Sequence, residues 1–169
     1  NFNDFMYNLS YWSSWSNGFN IWKSEFDKID KNLKLNKLFP HTSLFLTQHQ
    51  AKLFCINDNL LFDVQRIPKR GGHNKFEAFT IEYPSLLDEC CKKGHISTKC
   101  KKHILFGIMV QFLPSLLFNK YIIRIETFDD TGFRDNLKKY YPSYAYWLVL
   151  ISVLGVPFRL FCRKLKNKR

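Results

Sequence analysis

The residues best suited to chemistry crowd into one short run, Glu89–His103, with the sequence ECCKKGHISTKCKKH. It holds Cys90, Cys91, Cys100, His95 and His103 among five lysines. Cys90, His95 and Cys100 follow the Cys-x4-His-x4-Cys spacing of the last three ligands of a zinc knuckle, and thiolate and imidazole both suit zinc. The place of the knuckle's first cysteine is taken by Leu87, which cannot bind metal. Structural zinc sites normally complete four ligands, so Cys90, His95 and Cys100 are weak metal candidates and no cofactor is expected. There is no Cys-x-x-Cys pair for redox work. Neighbouring lysines would make a thiol more reactive, but reactivity alone does not define a reaction. The basic composition of the run reads more simply as a collar beside a membrane, where each lysine near anionic lipid gains about 1 kcal/mol. Lys92, Lys93, Lys101 and Lys102 are its interaction candidates.

Elsewhere no catalytic arrangement stands out. Gly-x-Ser-x-Gly, His-Glu-x-x-His, a Walker loop and a dinucleotide fingerprint are all missing from the sequence, and no enzyme is expected. Asp129 and Asp130 are adjacent, so on a strand they would face opposite ways. Pro68–His73, PKRGGH, sets two cations beside two glycines but lacks phosphate-loop spacing, and reads as an exposed hairpin loop.

These residues need a scaffold, and composition limits what it can be. Lysine plus arginine number 26 against 14 acidic residues, giving a net charge of +12 and a pI of about 9.6. Such a field favours anionic lipid, nucleic acid or an acidic protein as partner. Aromatic residues make up 17% of the chain, too many for a disordered basic tail, so it should fold. Five cysteines without a regular framework argue against a disulfide-built domain.

Three regions are expected. Residues 1–40 comprise an aromatic opening and an amphipathic helix in which Phe19, Trp22, Phe26, Ile29 and Leu33 recur at intervals of three and four. Asn17 is its expected N-cap and Pro40 its outer limit, with Trp22, Phe26 and Ile29 as docking residues. Residues 41–102 carry the runs SLFLT, KLFCI, LLFDVQRI and KFEAFTIEY, which read as strands of a small antiparallel meander. Asn57-Asp58-Asn59 and Gly71-Gly72 would make its turns, and Phe79, Ile81 and Tyr83 would form one buried face.

Residues 103–169 hold two uncharged spans, 103–119 and 140–158, joined by a polar connection in which YIIRIETF reads as a further strand. Both spans are at the short end of what crosses about 30 Å of hydrocarbon. The second is the better candidate: tyrosines and Trp147 gather at its start, and Arg159, Arg163, Lys164, Lys166, Lys168 and Arg169 follow its end. Trp147, Leu150 and Val153 are its expected membrane residues.

The expected fold is therefore α+β, with an N-terminal amphipathic helix, a β-meander and one or two transmembrane helices at the C-terminus. The expected function is a non-enzymatic, membrane-associated accessory or assembly subunit of a larger complex. Other subunits and anionic lipid are its expected partners, and the mitochondrial inner membrane and the endoplasmic reticulum fit equally. The alternative is a soluble basic nucleic-acid-binding protein, such as an organellar ribosomal component.

Overall fold

A computed structural model describes residues 1–15, 20–54 and 74–166, with side chains to Cys162. Ten α-helices are present among these residues: α1 Phe2–Leu9, α2 Lys23–Phe26, α3 Pro40–Leu46, α4 Lys75–Glu77, α5 Tyr83–Lys92, α6 Thr98–Gly107, α7 Leu113–Leu117, α8 Phe133–Tyr140, α9 Ala145–Leu154 and α10 Val156–Lys166. Wider helical turns at Ala78–Glu82, Ile108–Phe112 and Phe118–Ile122 join several of them, so that Thr98–Ile122 is one helix of 25 residues.

No strand occurs among the described residues, which overturns the α+β expectation and its meander. SLFLT lies in α3 and the 3-10 turn that follows it, where Pro40 starts the helix and does not end one. At the first helical position proline's missing amide proton costs nothing and its fixed φ is already helical. KFEAFTIEY is helical throughout, burying Phe76, Phe79, Thr80 and Tyr83 at steps of three, one and three. The alternation at Phe79, Ile81 and Tyr83 was real, but helical spacing overlapped it and tertiary burial selected the helix. YIIRIETF leaves the last wide turn as irregular chain from Arg124 onward. LLFDVQRI, Asn57-Asp58-Asn59, Gly71-Gly72, Asn17 and Phe19 lie outside the described residues. Of the long amphipathic helix expected from Phe19, the described part contains only the four-residue α2.

The chain forms two compact units, Asn1–Gln65 with Glu82–Leu105, and Arg66–Ile81 with Phe106–Arg169. In the first, Phe2 and Met6 of α1 are buried, with Phe2 and Phe5 against Phe45 of α3 at 5.7 and 5.9 Å. Phe39 meets Tyr83 at 5.5 Å, and Leu87, Cys90, Ile96, Cys100 and Ile104 complete the core. A buried polar network runs through it. Ser13 Oγ donates to the Ser10 carbonyl at 2.8 Å, so its single proton is committed and the buried Tyr83 hydroxyl must donate to Ser13.

In the second unit, α7 and the wide turn before it pack on α9, burying Ile108, Met109, Leu113, Leu116 and Leu117 against Ala145 and Val149. Phe76 meets Phe133 edge-on at 5.0 Å. The Lys120 ammonium donates to the Phe128 carbonyl and to Asp130, both at 2.6 Å, and holds the irregular 123–132 segment in place.

Candidate functional site

The Cys/His run folds as the end of α5, a turn, and the start of α6. Gly94 adopts a left-handed φ of 75° just past α5, a conformation glycine takes without strain. The turn lets the His95 amide donate to the Cys90 carbonyl at 2.9 Å. The His95 ring then lies flat on His49, with centroids 3.5 Å apart and planes at 8°. Cys90 is buried, and burial pushes its thiol up to about 11, leaving it protonated at neutral pH. Cys100 points to the Asn3 carbonyl at 3.6 Å and Cys91 to the Thr98 hydroxyl at 3.6 Å. Among the described residues no three His, Cys, Asp or Glu side chains converge as a metal ligand set, so Cys90, His95 and Cys100 are dispersed.

Lysines of the same run are largely engaged within the unit. Asp88 receives Lys101 at 2.7 Å and Lys92 at 2.9 Å, and these hydrogen bonds hold its carboxyl below the usual range. Glu89 receives Lys93 at 2.6 Å and raises that ammonium's pKa. Lys102 is exposed, while the Lys99 ammonium stands 6.0 Å from the Tyr7 ring centroid. Two carboxylates thus serve three cations, and the run presents less uncompensated charge than its composition suggests.

Of the docking residues, Trp22 is 83% exposed, Phe26 is exposed and Ile29 is half-buried, so α2 presents two large rings to its surroundings. Leu53 is exposed in the same unit.

The C-terminal helices carry the clearest surface feature. Tyr144, Trp147, Ile151, Leu154, Phe158 and Phe161 recur at intervals of three and four across α9 and α10, and each is more than half exposed. The inward edge is apolar too, with Ala145, Val149 and Val156 buried. A helix that is hydrophobic on all sides is normally enclosed by protein or lipid. Here the outer stripe is uncovered. Of the expected membrane residues Trp147 lies on it, whereas Leu150 and Val153 are half-buried beside it.

Thr98–Ile122 is the one described helix long and apolar enough to cross a membrane by itself, while α9 with Val156–Cys162 qualifies only as a pair bent by 49°. The long helix is half buried within the fold. Its inward face is buried, and Lys102 and Gln111 are on its exposed side with Phe106.

One site residue had no signature in the sequence. Arg159 Nη1 donates to the Val110 carbonyl at 2.6 Å, and its Nη2 is buried without a partner. The α-helical partner of that carbonyl would be the amide of residue 114, but Pro114 has none. Tyr141 donates its hydroxyl to the Phe79 carbonyl at 2.6 Å, and in the wide turn Ala78–Glu82 the partner of that carbonyl would be the amide of residue 84, which Pro84 lacks. The signal available beforehand was the prolines themselves, each of which deprives an upstream carbonyl of its helical donor.

An open depression of about 320 Å³ is lined by Asp130, Gly132, Phe133, Arg134, Asp135 and Tyr146. Its carboxylates are engaged, Asp130 by Lys120 and Tyr121 and Asp135 by Lys138, which leaves no uncommitted general base there. Comparison of the chain with family models, with curated proteins and with solved structures returns no match.

Proposed function

We propose that this protein is a membrane-associated accessory or assembly subunit, held to a bilayer through α9 and α10 and to a protein partner through the exposed rings near α2. The observation that carries the reading is the outward stripe from Tyr144 to Phe161. Six large apolar side chains at intervals of three and four, uncovered along α9 and α10 while Ala145, Val149 and Val156 are buried, need an apolar environment. Phe158, Leu160 and Phe161 stand beside Arg159 in α10, and the sequence continues with Arg163, Lys164 and Lys166 in the same helix, a composition suited to the headgroup boundary. Trp22 and Phe26 supply the protein-facing side, since exposed aromatics are the residues that most often anchor interfaces.

The alternative of nucleic-acid binding rests on the net charge, and the pairing of Lys92, Lys93 and Lys101 with Asp88 and Glu89 removes part of its support.

The test replaces Ile151 and Leu154 with lysine. Both are exposed, so the folded unit should tolerate the change, whereas each charge placed in hydrocarbon costs roughly 2.5–3.5 kcal/mol on an insertion scale. Wild-type chain should stay with membranes through carbonate and high-salt washing, and I151K/L154K should be released. A wild-type chain that washes off, or a double variant that stays, would refute membrane attachment through this surface.

A further inference from the structure

We infer that α9 and α10 enter one leaflet only, and that this leaflet is rich in anionic phospholipid. The inference rests on the membrane reading and specifies its geometry. Ten residues of α9 span about 15 Å, half of a hydrocarbon core of about 30 Å. The chain then turns by 49° at Gly155 and Pro157, before a full crossing is reached. Beyond the bend Arg159 interrupts the apolar series, and basic residues dominate the rest of α10.

Arg159 also constrains the long helix. Its guanidinium is bound to Val110, the central residue of Thr98–Ile122. Were that helix to cross the bilayer, the charge would sit at the midplane, with Nη2 lacking any acceptor, in the most costly place for an arginine. Placed at headgroup depth, the same buried guanidinium lies away from the bilayer midplane, where its charge costs far less. The exposed Lys102 and Gln111 likewise suit a helix that stays outside the hydrocarbon. The longest series of outward apolar residues is the one along α9 and α10, and charge complementarity between the basic α10 sequence and a phospholipid surface selects an anionic leaflet over a second copy of this chain.

Purified full-length chain is added to preformed sealed vesicles of phosphatidylcholine alone or with one-third phosphatidylserine, and bound protein is treated with a membrane-impermeant amine reagent. Lys102, Lys138, Lys139 and Lys164 should all be modified without detergent, as one-leaflet insertion leaves every one of them outside. Binding should be roughly tenfold or more tighter with phosphatidylserine, and this preference, though not the attachment itself, should shrink with salt. Shielding of Lys138 and Lys139 until detergent is added would show two crossings, and shielding of Lys164 alone a single one. Either result overturns the one-leaflet geometry while leaving membrane attachment standing. Equal binding to both vesicle types overturns the anionic preference. Failure to bind either vesicle, with dimers that I151K/L154K dissolves, would refute the membrane reading itself and assign the stripe to self-association.

Discussion

Arg159 donates Nη1–H to the Val110 carbonyl at 2.6 Å, the carbonyl that Pro114 cannot serve. A charged side chain from α10 thereby adds a hydrogen bond to the main chain of the helix it packs on, four residues before a proline. Hydrogen bonds involving a charged group are worth about 1.5–3 kcal/mol. Arg159→Met should therefore destabilise the fold by about 2 kcal/mol in denaturant titration. Pro114→Ala restores an amide opposite Val110, so the same Arg159→Met change should cost clearly less in that background. Equal costs in both backgrounds would show that the carbonyl and the proline are unrelated.

The Ser13–Tyr83 bond lies in the core, where burial raises the tyrosine's pKa and keeps it protonated. Ser13→Ala removes the bond that the buried Tyr83 hydroxyl makes to Ser13 and should cost about 1–3 kcal/mol. Tyr83→Phe in addition should cost little more, because both members of the bond are then gone. Strict additivity of the two losses, measured by thermal or chemical unfolding, would argue against the pairing.

His95 gives the stacked histidine pair a pH signature. Burial first, then the charges of His49 and Lys93, lower its pKa below the ordinary 6.5. Above that value both folded and unfolded states are neutral here and the group contributes nothing. As pH falls below it the unfolded chain takes the proton first, so stability declines toward acid. The slope of stability between about pH 5 and 7 should flatten in His95→Phe, and an unchanged slope would contradict the assignment.

Asp88 and Glu89 should separate on mutation. Asp88 binds two lysines with its side chain 24% exposed, whereas the Glu89–Lys93 pair is more than half exposed. Glu89→Gln should change stability by a few tenths of a kcal/mol at most, in keeping with surface pairs. Asp88→Asn should cost visibly more, and its loss should mirror the acid limb of the wild type, because a depressed carboxyl stabilises above its unfolded pKa and stops doing so once protonated. Indistinguishable variants would mean that both pairs are solvated.

Trp22→Ala and Phe26→Ala should leave the unfolding free energy within about 0.5 kcal/mol of wild type, as expected for exposed positions. Recovery of co-purifying protein should fall in both. A loss of several kcal/mol would mean that these rings are covered within the chain itself.

Much of the C-terminal surface was legible beforehand. The absence of charge over 140–158, the aromatic residues at its start and the basic series after it mark an apolar helix with a polar exit. Spacing could not show which residues turn outward: Leu150 and Val153 are half-buried, and Ile151 and Leu154 carry the stripe. The direction a helix faces depends on its neighbour, here α7 and the turn before it, and that neighbour lies far away in the chain.

What the sequence by itself determined is therefore composition, charge and the positions of the apolar spans, all of which are properties of local stretches. Tertiary structure decided the rest. Phe76, Phe79, Thr80 and Tyr83 fit a helix while Phe79, Ile81 and Tyr83 fit a strand, and burial within each unit, rather than local propensity, chose between them. Likewise the Cys90, His95 and Cys100 spacing matched the last three ligands of a knuckle, yet folding turned Cys100 to Asn3 and His95 to His49. Arg159 could be read only as part of a basic tail. Its role comes from Val110 and Pro114, more than forty residues earlier, and pairings at that separation are formed by packing and not by the local chain.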